Sequence, residues 1–408
     1  MIRILKYASA MWLLLALNGC GEDRATTINL ETRDFAIETS NSTPASMESV
    51  RLGLVAIDAQ GNRSDAALLD DITRVEWDFG DGTRQTTDAG SAFRHQYAAE
   101  GNYTITVRVT LASGETRTDT SFIQVAGRSL RYEMEQYNGD RVWIMAHRGR
   151  YDDMAREGIP ENTVEAFLRC VELGCVDIIE TDVRTTKDGR LVVCHDNTTI
   201  NAANGGGFIK DMTLKQVQAF KLYDRQGNIT DHTFNTLEEV LEACRGKVWL
   251  KIDKTVDNDI DLIYETVRAY GMLDQVLFYF SQAQNTEDDS DLVNNSEECI
   301  EILNGYSPEA LLHPHSNSLA WFNLYDGTPN VRSFEISTSY AMQAGNETVK
   351  AMRDKGYIVM TNLMDNYDAN FISGDTSVVD AFLENGCNVI QTDVCVTLDR
   401  YLRNIGRR

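Results

Sequence analysis

Basic residues are scarce in this chain of 408 residues, which has 38 lysines and arginines against 62 aspartates and glutamates. The formal net charge is therefore -24. A surface field of this sign repels nucleic acid and anionic lipid, so we expect neither as the partner of a broad surface. It also repels a phosphate-bearing substrate, whose site must therefore supply strong local positive charge.

Cysteine pairs are lacking as well. The eight cysteines include no CxxC motif, and seven remain when Cys20, discussed below, is set aside. An odd number argues against a disulfide framework, although one disulfide stays open. Four cysteines lie in apolar contexts, where the residue usually packs as a small hydrophobic side chain, so a catalytic cysteine is not expected. These four are Cys170, Cys175, Cys194 and Cys244.

The first apolar run, residues 8–17, is too short to span a bilayer as a helix. With the basic residues before it, the run is typical of an export signal. It ends in Leu-Asn-Gly-Cys at 17–20, which resembles the lipobox of bacterial lipoproteins. The resemblance implies a signal peptide over residues 1–20, lipidation of Cys20, and a lipid anchor in the bacterial cell envelope, on the periplasmic or surface face of the outer membrane. The polar residues 21–33 are expected to be a tether.

Residues 34–126 predict a small β-sandwich, because short alternating runs are separated by turn-rich breaks. Two motifs, VEWDFGDGT and HQYAAEGNYTITVRV, resemble the PKD domain, whose fold is an immunoglobulin-like β-sandwich. The resemblance implies a spacer or adhesion module, so Asp78, Asp81 and His95 are expected to be structural. Residues 126–140 are predicted to be a linker.

Strand and helix patterns alternate over residues 141–408, and most strand candidates are separated by an amphipathic helix. The strand candidates are 142–147, 176–183, 248–253, 276–281, 309–313, 332–336, 356–361 and 388–392. Two helices follow a capping-box pattern, Asn162 with Glu165 and Thr236 with Glu239. Eight such units predict an α/β fold, the TIM (β/α)8 barrel.

A ninth apolar run, residues 190–195, follows the second strand too closely for a parallel crossover. We therefore predict a hairpin that turns at 187–189. The hairpin would place His195 at the barrel mouth, which is the end formed by the carboxyl ends of the parallel strands. Residues 197–235 are predicted to be a small insertion over that mouth.

Three carboxylates are expected to meet at the mouth. Glu180 and Asp182 lie two residues apart on the second strand, so both side chains point into the barrel. Asp253 ends the third strand. Like charges repel unless a cation or a proton lies between them, and oxygen ligands without cysteine or a close histidine pair indicate Mg²⁺ or Ca²⁺ rather than zinc. A structural cluster of ion pairs is the alternative.

Two histidines lie at strand ends beside these carboxylates: His147 ends the first strand and His195 ends the hairpin. Such a pair on either side of a phosphorus atom can act as general base and general acid near neutral pH. Arg148 has the planar guanidinium group that suits a phosphate oxygen. The remaining histidines are expected to be structural, although the last two can line the pocket. They are His232, His313 and His315.

The motifs HRG, PENT, ETDVRTTKDGRLVVCHD and TLEEVL resemble the glycerophosphodiester phosphodiesterase family, whose fold is a TIM barrel with a small insertion. The likeness is dense over 144–254 and thinner afterwards. It implies that His147 and His195 are the acid-base pair and that Arg148 binds phosphate. Glu161 in PENT is expected at the mouth, in contact with metal or substrate. The implied ligands of the divalent metal are Glu180, Asp182 and Asp253.

The sequence departs from this family pattern at two places. The family has an acid, an apolar residue and then lysine at the third ligand, whereas Lys254 directly follows Asp253 here. Strand alternation predicts that Lys254 faces away from the pocket, while Lys251 shares the face of Asp253 but lies deeper. Either lysine is a candidate for substrate binding. Met360 replaces a tryptophan of the family, so one wall of the substrate pocket is expected to differ in shape.

The predicted function is metal-dependent hydrolysis of a small-molecule glycerophosphodiester to sn-glycerol 3-phosphate and an alcohol. Two alternatives stay open. The same barrel can serve a phosphoinositol or lysophospholipid diester, or the chain can be a surface lipoprotein that binds a ligand without turnover. The sequence predicts neither the head group nor the oligomeric state.

Overall fold

A computed structural model describes residues 35–57, 62–64, 66–255, 259–280, 310–364 and 366–408. The predicted signal peptide, the lipidation site Cys20 and the tether over 21–33 lie outside the described residues. No described helix is both long enough and apolar enough to cross a membrane.

The first part of the described chain is a sandwich of two antiparallel sheets, with strand orders β1-β2-β5 and β4-β3-β6-β7. Alternate residues of the long strand β6, such as Ile105 and Val107, are buried against Trp77 of β3. This arrangement confirms the predicted sandwich. Its strands are β1 Phe35–Thr39, β2 Val50–Ala56, β3 Ile72–Asp78, β4 Arg84–Thr87, β5 Phe93–His95, β6 Gly101–Leu111 and β7 Thr116–Val125.

The acidic motif of the sandwich forms a turn. The Asp78 carboxylate accepts hydrogen bonds from the Gly80 N–H and the Arg84 guanidinium group. The Asp81 carboxylate accepts from Thr83 and lies 2.8 Å from His95 Nε2. The polar side chains of this motif therefore hold the β3–β4 turn against β5.

Eight parallel strands form the second part, in the order β13-β12-β11-β9-β8-β16-β15-β14. Bridges Leu312↔Val331 and His315↔Glu335 join the two ends of this order, so the sheet closes into a barrel. Each predicted strand overlaps an observed one, which confirms the TIM-barrel prediction. The barrel strands are β8 Trp143–Ala146, β9 Ile178–Thr185, β11 Trp249–Asp253, β12 Val276–Phe280, β13 Leu311–Pro314, β14 Ser333–Glu335, β15 Ile358–Leu363 and β16 Val389–Thr392.

Helices cover the outside of the barrel. The Thr236 capping box is confirmed, because the Thr236 hydroxyl and the Glu239 carboxylate each accept the other residue's N–H. The other cap was predicted one residue too early: Thr163 caps α3, and Asn162 points into the mouth instead. The described α-helices are α1 Leu130–Glu135, α2 Met154–Glu157, α3 Val164–Leu173, α4 Leu214–Val217, α5 Leu237–Cys244, α6 Ile260–Ala269, α7 Leu319–Tyr325, α8 Thr338–Ala341, α9 Glu347–Asp354, α10 Asn366–Ile372, α11 Ser377–Asn385 and α12 Cys395–Asn404.

The predicted hairpin is also present. Strand β10, Leu191–Val193, pairs antiparallel with β9, and the Thr186 N–H donates to Arg190 O across the turn at 2.8 Å. Residues 197–235 follow and build a small core of their own around Leu222 and Phe234. The interpretation of 197–235 as an inserted module stays a prediction.

The predicted linker is wrong over part of its length, because residues 130–135 form helix α1. Leu130 and Met134 on this helix are buried against Trp143 and Trp249, which lie where the barrel strands begin. Helix α1 therefore closes the amino-terminal end of the barrel. The apolar residues of this short helix were mistaken for a connecting segment because it has too few turns to show a period.

The sandwich is joined directly to the same end of the barrel. The Trp249 indole N–H donates to Arg128 O at 2.7 Å, and Asn41 Nδ2 donates to Gly271 O at 3.1 Å. A Cβ added at Gly127 would lie 2.5 Å from the Gly246 Cα, so the two backbones touch and only glycine fits. The two domains therefore pack against each other, and the barrel mouth lies at the opposite end.

Leu130→Ala tests the closure by α1. Removing a fully buried leucine leaves a cavity and should lower the free energy of unfolding by about 2–5 kcal/mol. The control is Leu324→Ala, because Leu324 is 45% exposed and its truncation should change stability by no more than about 0.5 kcal/mol. Urea unfolding followed by tryptophan fluorescence measures both. Equal effects of the two substitutions would show that α1 does not support the barrel.

Candidate active site

Two adjacent strands bring three carboxylates together at the mouth. In the parallel pair β9–β11, Asp182 is level with Asp253, and Glu180 lies one pleat deeper. Ligand oxygens of all three residues lie within 4.8 Å of one another. Because residues two apart on a strand share a face, the ETD motif alone places two of the three.

Burial raises the pKa of two of these three carboxyl groups. Burial and the neighbouring carboxylates of Asp182 and Asp253 raise the pKa of Glu180 well above its ordinary value. Burial also raises the pKa of Asp253, to about 6, although Lys251 opposes the shift. A divalent cation would relieve both effects, and oxygen ligands of this kind suit Mg²⁺ or Ca²⁺. The cluster therefore fits a divalent metal site.

Asp182 differs from its two partners. Burial acts to raise its pKa, but the positive charges of His195, Arg148 and Lys254 outweigh burial and lower it. Asn162 adds to this effect by donating a hydrogen bond from Nδ2 to Asp182 Oδ2 at 3.1 Å. Asp182 is thus held as a carboxylate.

Of the two candidate lysines, Lys251 lies as expected, deep in the barrel on the face of Asp253. Lys254 follows the end of β11 and has φ = +64°, so strand alternation no longer applies, and its charge reaches Asp182. The reason for expecting Lys254 to face away from the pocket therefore does not hold, and its role towards substrate stays a prediction. Lys251 is 1% exposed and its Nζ lies 2.9 Å from Asp253 Oδ1 and 2.8 Å from Glu335 Oε2. Lys251 therefore neutralises carboxylates below the mouth, and its burial argues against contact with substrate.

Met360 also lies elsewhere than expected. It is fully buried inside the barrel, with its Sδ 3.2 Å from His313 Nε2. Because it packs with Trp143 and Trp249 towards the closed end, it forms no wall of an open pocket. Asn362, two residues later on β15, is the residue of that strand nearer the mouth.

His147 is held by Asp393, a site residue that the sequence motifs do not predict. Its Nδ1 lies 2.8 Å from Asp393 Oδ1, and Arg150 Nη1 donates to Asp393 Oδ2 at 2.7 Å. Burial, with help from Arg148 and Arg150, lowers the pKa of His147. Asp393 keeps its charge, because His147 and Arg150 outweigh the effect of burial and lower its pKa. The sequence feature that could have indicated Asp393 is an acidic residue directly after the last barrel strand.

Arg148 brings positive charge into the carboxylate cluster. Its backbone N–H donates to Glu180 Oε2 at 2.9 Å and its Nη1 donates to Glu161 Oε1 at 2.9 Å. Burial acts to lower its pKa, but the Asp182 and Glu161 carboxylates reverse this and raise it. Glu161 also contacts Arg150 and therefore orients both arginines. This local positive charge is what a phosphate requires in so acidic a protein.

Backbone strain is concentrated around the same cluster. Four described non-glycine residues have positive φ, and three of them, Arg148, Asn162 and Lys254, surround the carboxylates. Such conformations cost about 1 kcal/mol or more each and persist where the surroundings enforce them. Asn162 shows what is gained, because its amide bonds both Asp182 and the Thr181 hydroxyl. No local sequence pattern predicts this role of Asn162.

His195 is the more accessible histidine. Its side chain is 38% exposed, and Nδ1 lies 2.7 Å from Asp196 Oδ1. The Arg184 guanidinium group donates to the His195 carbonyl oxygen and so fixes the end of the hairpin. The preceding Cys194 N–H donates to Asp182 O at 3.0 Å, so the hairpin brings the backbone at His195 alongside the end of β9; the catalytic role of His195 stays a prediction.

The other strand-end histidines are occupied by neighbours. His313 lies inside the barrel with Nδ1 2.6 Å from Ser333 Oγ, and burial lowers its pKa to about 3. His315 lies nearer the mouth, between the Tyr279 hydroxyl at 3.1 Å and Ser337 Oγ at 3.0 Å. Only His315 of this pair is placed to line a pocket.

The fold and the site together define a TIM-barrel protein with a candidate metal centre at its mouth. Residues 147–397 match the Glycerophosphoryl diester phosphodiesterase family, and residues 55–125 match the PKD domain. Because the first match covers more than half of the chain, the protein belongs to the glycerophosphoryl diester phosphodiesterase family.

Several known proteins resemble the barrel. The chain is 42% identical over 111 residues to a glycerophosphodiester phosphodiesterase of Caldanaerobacter subterraneus subsp. tengcongensis, covering 27% of this chain and 43% of that protein. It is 32% identical over 145 residues to one of Bacillus altitudinis, covering 33% and 56%. A solved glycerophosphoryl diester phosphodiesterase of Parabacteroides distasonis has a TM-score of 0.54 and 22% identity, covering 66% and 89%. The chain thus spans about half the length of these curated relatives, and the structural likeness shows the shared fold.

Metal binding should stabilise the protein. At a Mg²⁺ or Ca²⁺ concentration of about 100 Kd, we expect the Tm to rise by about 5–10 °C, because only the folded state assembles the three carboxylates. Asp182→Asn should abolish the rise, whereas Asp354→Asn, at an exposed ion pair with Lys350, should retain it. Differential scanning fluorimetry measures the shift. An equal shift in Asp182→Asn would place the metal elsewhere.

Proposed function

We propose that the protein is a metal-dependent phosphodiesterase that hydrolyses glycerophosphodiesters to sn-glycerol 3-phosphate and an alcohol. The supporting observation is the barrel mouth itself, where His147, His195 and Arg148 flank a carboxylate cluster that fits a divalent metal. Family membership and the names of the relatives support the same activity.

Substrate binding depends first on charge. Glu180, Asp182 and Asp253 would hold the cation, which when bound draws electron density from a phosphate oxygen and from the glycerol 2-hydroxyl. Arg148, with Glu161 fixing its guanidinium group, offsets the negative charge that builds on the phosphate. Lys254, whose charge lowers the pKa of Asp182, is the second cation available to the phosphate.

His147 is the general base in this proposal. Asp393 accepts the Nδ1–H, which leaves Nε2 as the proton acceptor, and the lowered pKa keeps the ring neutral at physiological pH. Its Nε2 takes the proton of the glycerol 2-hydroxyl, whose oxygen attacks phosphorus. The bond from phosphorus to the oxygen of the departing alcohol then breaks.

His195 is the general acid. The more exposed ring of His195 donates a proton to the departing alcohol, and Asp196 Oδ1, 2.7 Å from Nδ1, orients the ring. The five-membered cyclic phosphate is then opened by water, with the two histidines exchanging roles. This second step restores the 2-hydroxyl and releases glycerol 3-phosphate.

The alternative diesters remain candidates because of the polar side chains on the far side of the mouth. Tyr279, His315 and Ser337 form a hydrogen-bonded group that suits a polyhydroxyl alcohol such as inositol. Turnover of glycerophosphoinositol, glycerophosphocholine and a lysophospholipid under identical conditions ranks the three head groups. A protein that binds metal but turns over none of them is the binding lipoprotein instead.

Histidine catalysis is tested by His195→Ala. With Mg²⁺ or Ca²⁺ present, the variant should release glycerol phosphate about 10²–10⁴-fold more slowly than the wild type, and chelator should stop the wild type. His232→Ala is the control, because His232 contacts Glu165 on α3 and should retain activity. Enzyme-coupled detection of glycerol 3-phosphate measures the rates. Full activity in His195→Ala would refute the mechanism.

The location is also a proposal: Cys20 carries a lipid that anchors the protein in the cell envelope. It is supported by the lipobox-like residues 17–20. In a Gram-negative host, Cys20→Ser should move the full chain from the membrane to the soluble fraction and abolish labelling by radioactive palmitate. Protease treatment of intact cells separates a periplasmic from a surface location. Labelling that persists in Cys20→Ser contradicts the anchor.

A further inference from the structure

The turn Tyr223–Ile229 reaches from the 197–235 segment to the active-site side of the mouth. Tyr223 and Ile229 pair across its base, and the Asp224 carboxylate accepts the N–H groups of Gln226 and Asn228 at 2.8 and 2.9 Å. A further bond joins the Gly227 N–H to Asp224 O at 3.0 Å. The tip is thus a closed loop of hydrogen bonds that presents Arg225.

Arg225 joins this turn to a residue near the carboxyl terminus of the chain, Asp393, which directly follows the last barrel strand. Its Nη1 donates to Asp393 Oδ2 at 3.0 Å, although 168 residues separate the two positions. On the other side, a Cβ at Gly158, directly after α2, would lie 3.9 Å from the Asp224 carboxylate. The turn therefore lies over the mouth, between the end of α2 and the residue that follows β16.

The two carboxylate oxygens of Asp393 contact different groups. Its Oδ1 contacts His147 Nδ1, and its Oδ2 accepts hydrogen bonds from both Arg150 and Arg225. Two cations on one oxygen fix the plane of the carboxylate, and that plane sets the direction of the bond to His147. A change at Arg225 is therefore transmitted to the imidazole ring.

We infer that Arg225 is a positioning residue, which acts through Asp393 on His147 and by the same ion pair holds the 223–229 turn over the barrel mouth. This inference rests on the proposed phosphodiesterase activity for its kinetic part only.

The size of the effect follows from exposure. Exposed ion pairs contribute little, and Arg225 is 35% exposed, but the side chain of its partner Asp393 is only 15% exposed. The second cation, Arg150, stays in place when Arg225 is removed. We therefore expect a moderate loss of function and a local loosening of the turn, without unfolding of the barrel.

The kinetic test is a double-mutant cycle on the full chain with metal bound. Arg225→Gln should lower kcat by about fivefold with little change in KM, as expected for one partly exposed ion pair. Arg225→Lys should recover part of the loss, because it keeps the charge. In an Asp393→Asn background, Arg225→Gln should cost nothing further. Arg190→Gln is the control, because Arg190 pairs with Glu238 on the barrel wall.

The structural test does not depend on activity. Hydrogen exchange followed by mass spectrometry should show faster exchange of residues 223–229 in both Arg225→Gln and Asp393→Asn, and unchanged exchange in Arg190→Gln. If Arg225→Gln matches Arg190→Gln in both kcat and exchange, or if its kinetic effect adds fully to that of Asp393→Asn, the inference is wrong. If the wild type turns over no diester, the proposed function fails, and the exchange data alone decide whether Arg225 holds the turn.

Discussion

Repulsion among three clustered carboxylates is the constraint on which the barrel mouth depends. Glu180, Asp182 and Asp253 lie within 4.8 Å of one another in a chain whose net charge is already strongly negative. Such a cluster persists only if the fold supplies opposing charge or if surrounding contacts maintain a strained backbone around it. Both devices are present, and each lies at a different depth in the barrel.

Below the cluster, Lys251 pairs with Asp253 and with Glu335 across the barrel interior. Beside it, Arg148 and Asn162 contact two of the carboxylates from strained backbone conformations. Lys251 thus neutralises Asp253 and Glu335 inside the barrel, whereas Glu180 keeps a raised pKa that a bound cation would lower.

Much of this architecture could be predicted from the sequence, because periodicity and strand ends are local signals. The eight barrel strands, the hairpin that delivers His195 and the acidic trio all follow from alternation and from the distance between runs. Positive φ values have no such signal, so the sequence predicts a helix cap at Asn162 and regular strand alternation at Lys254, and neither holds. Asp393 was missed because its partner His147 lies 246 residues away. Contacts between the first and last strands of a barrel form only when the whole fold is complete, so no local pattern predicts them.

The junction of sandwich and barrel determines which end of the barrel is covered and which end is open. The sandwich touches the strand beginnings, through Arg128 and Trp249, and helix α1 seals that end. If Cys20 is lipidated as proposed, the sandwich lies between the anchor and the barrel along the chain, and the mouth lies at the end of the barrel remote from the sandwich. Under that proposal, a mouth remote from the anchor would favour water-soluble substrates over phospholipids that are still embedded in the membrane.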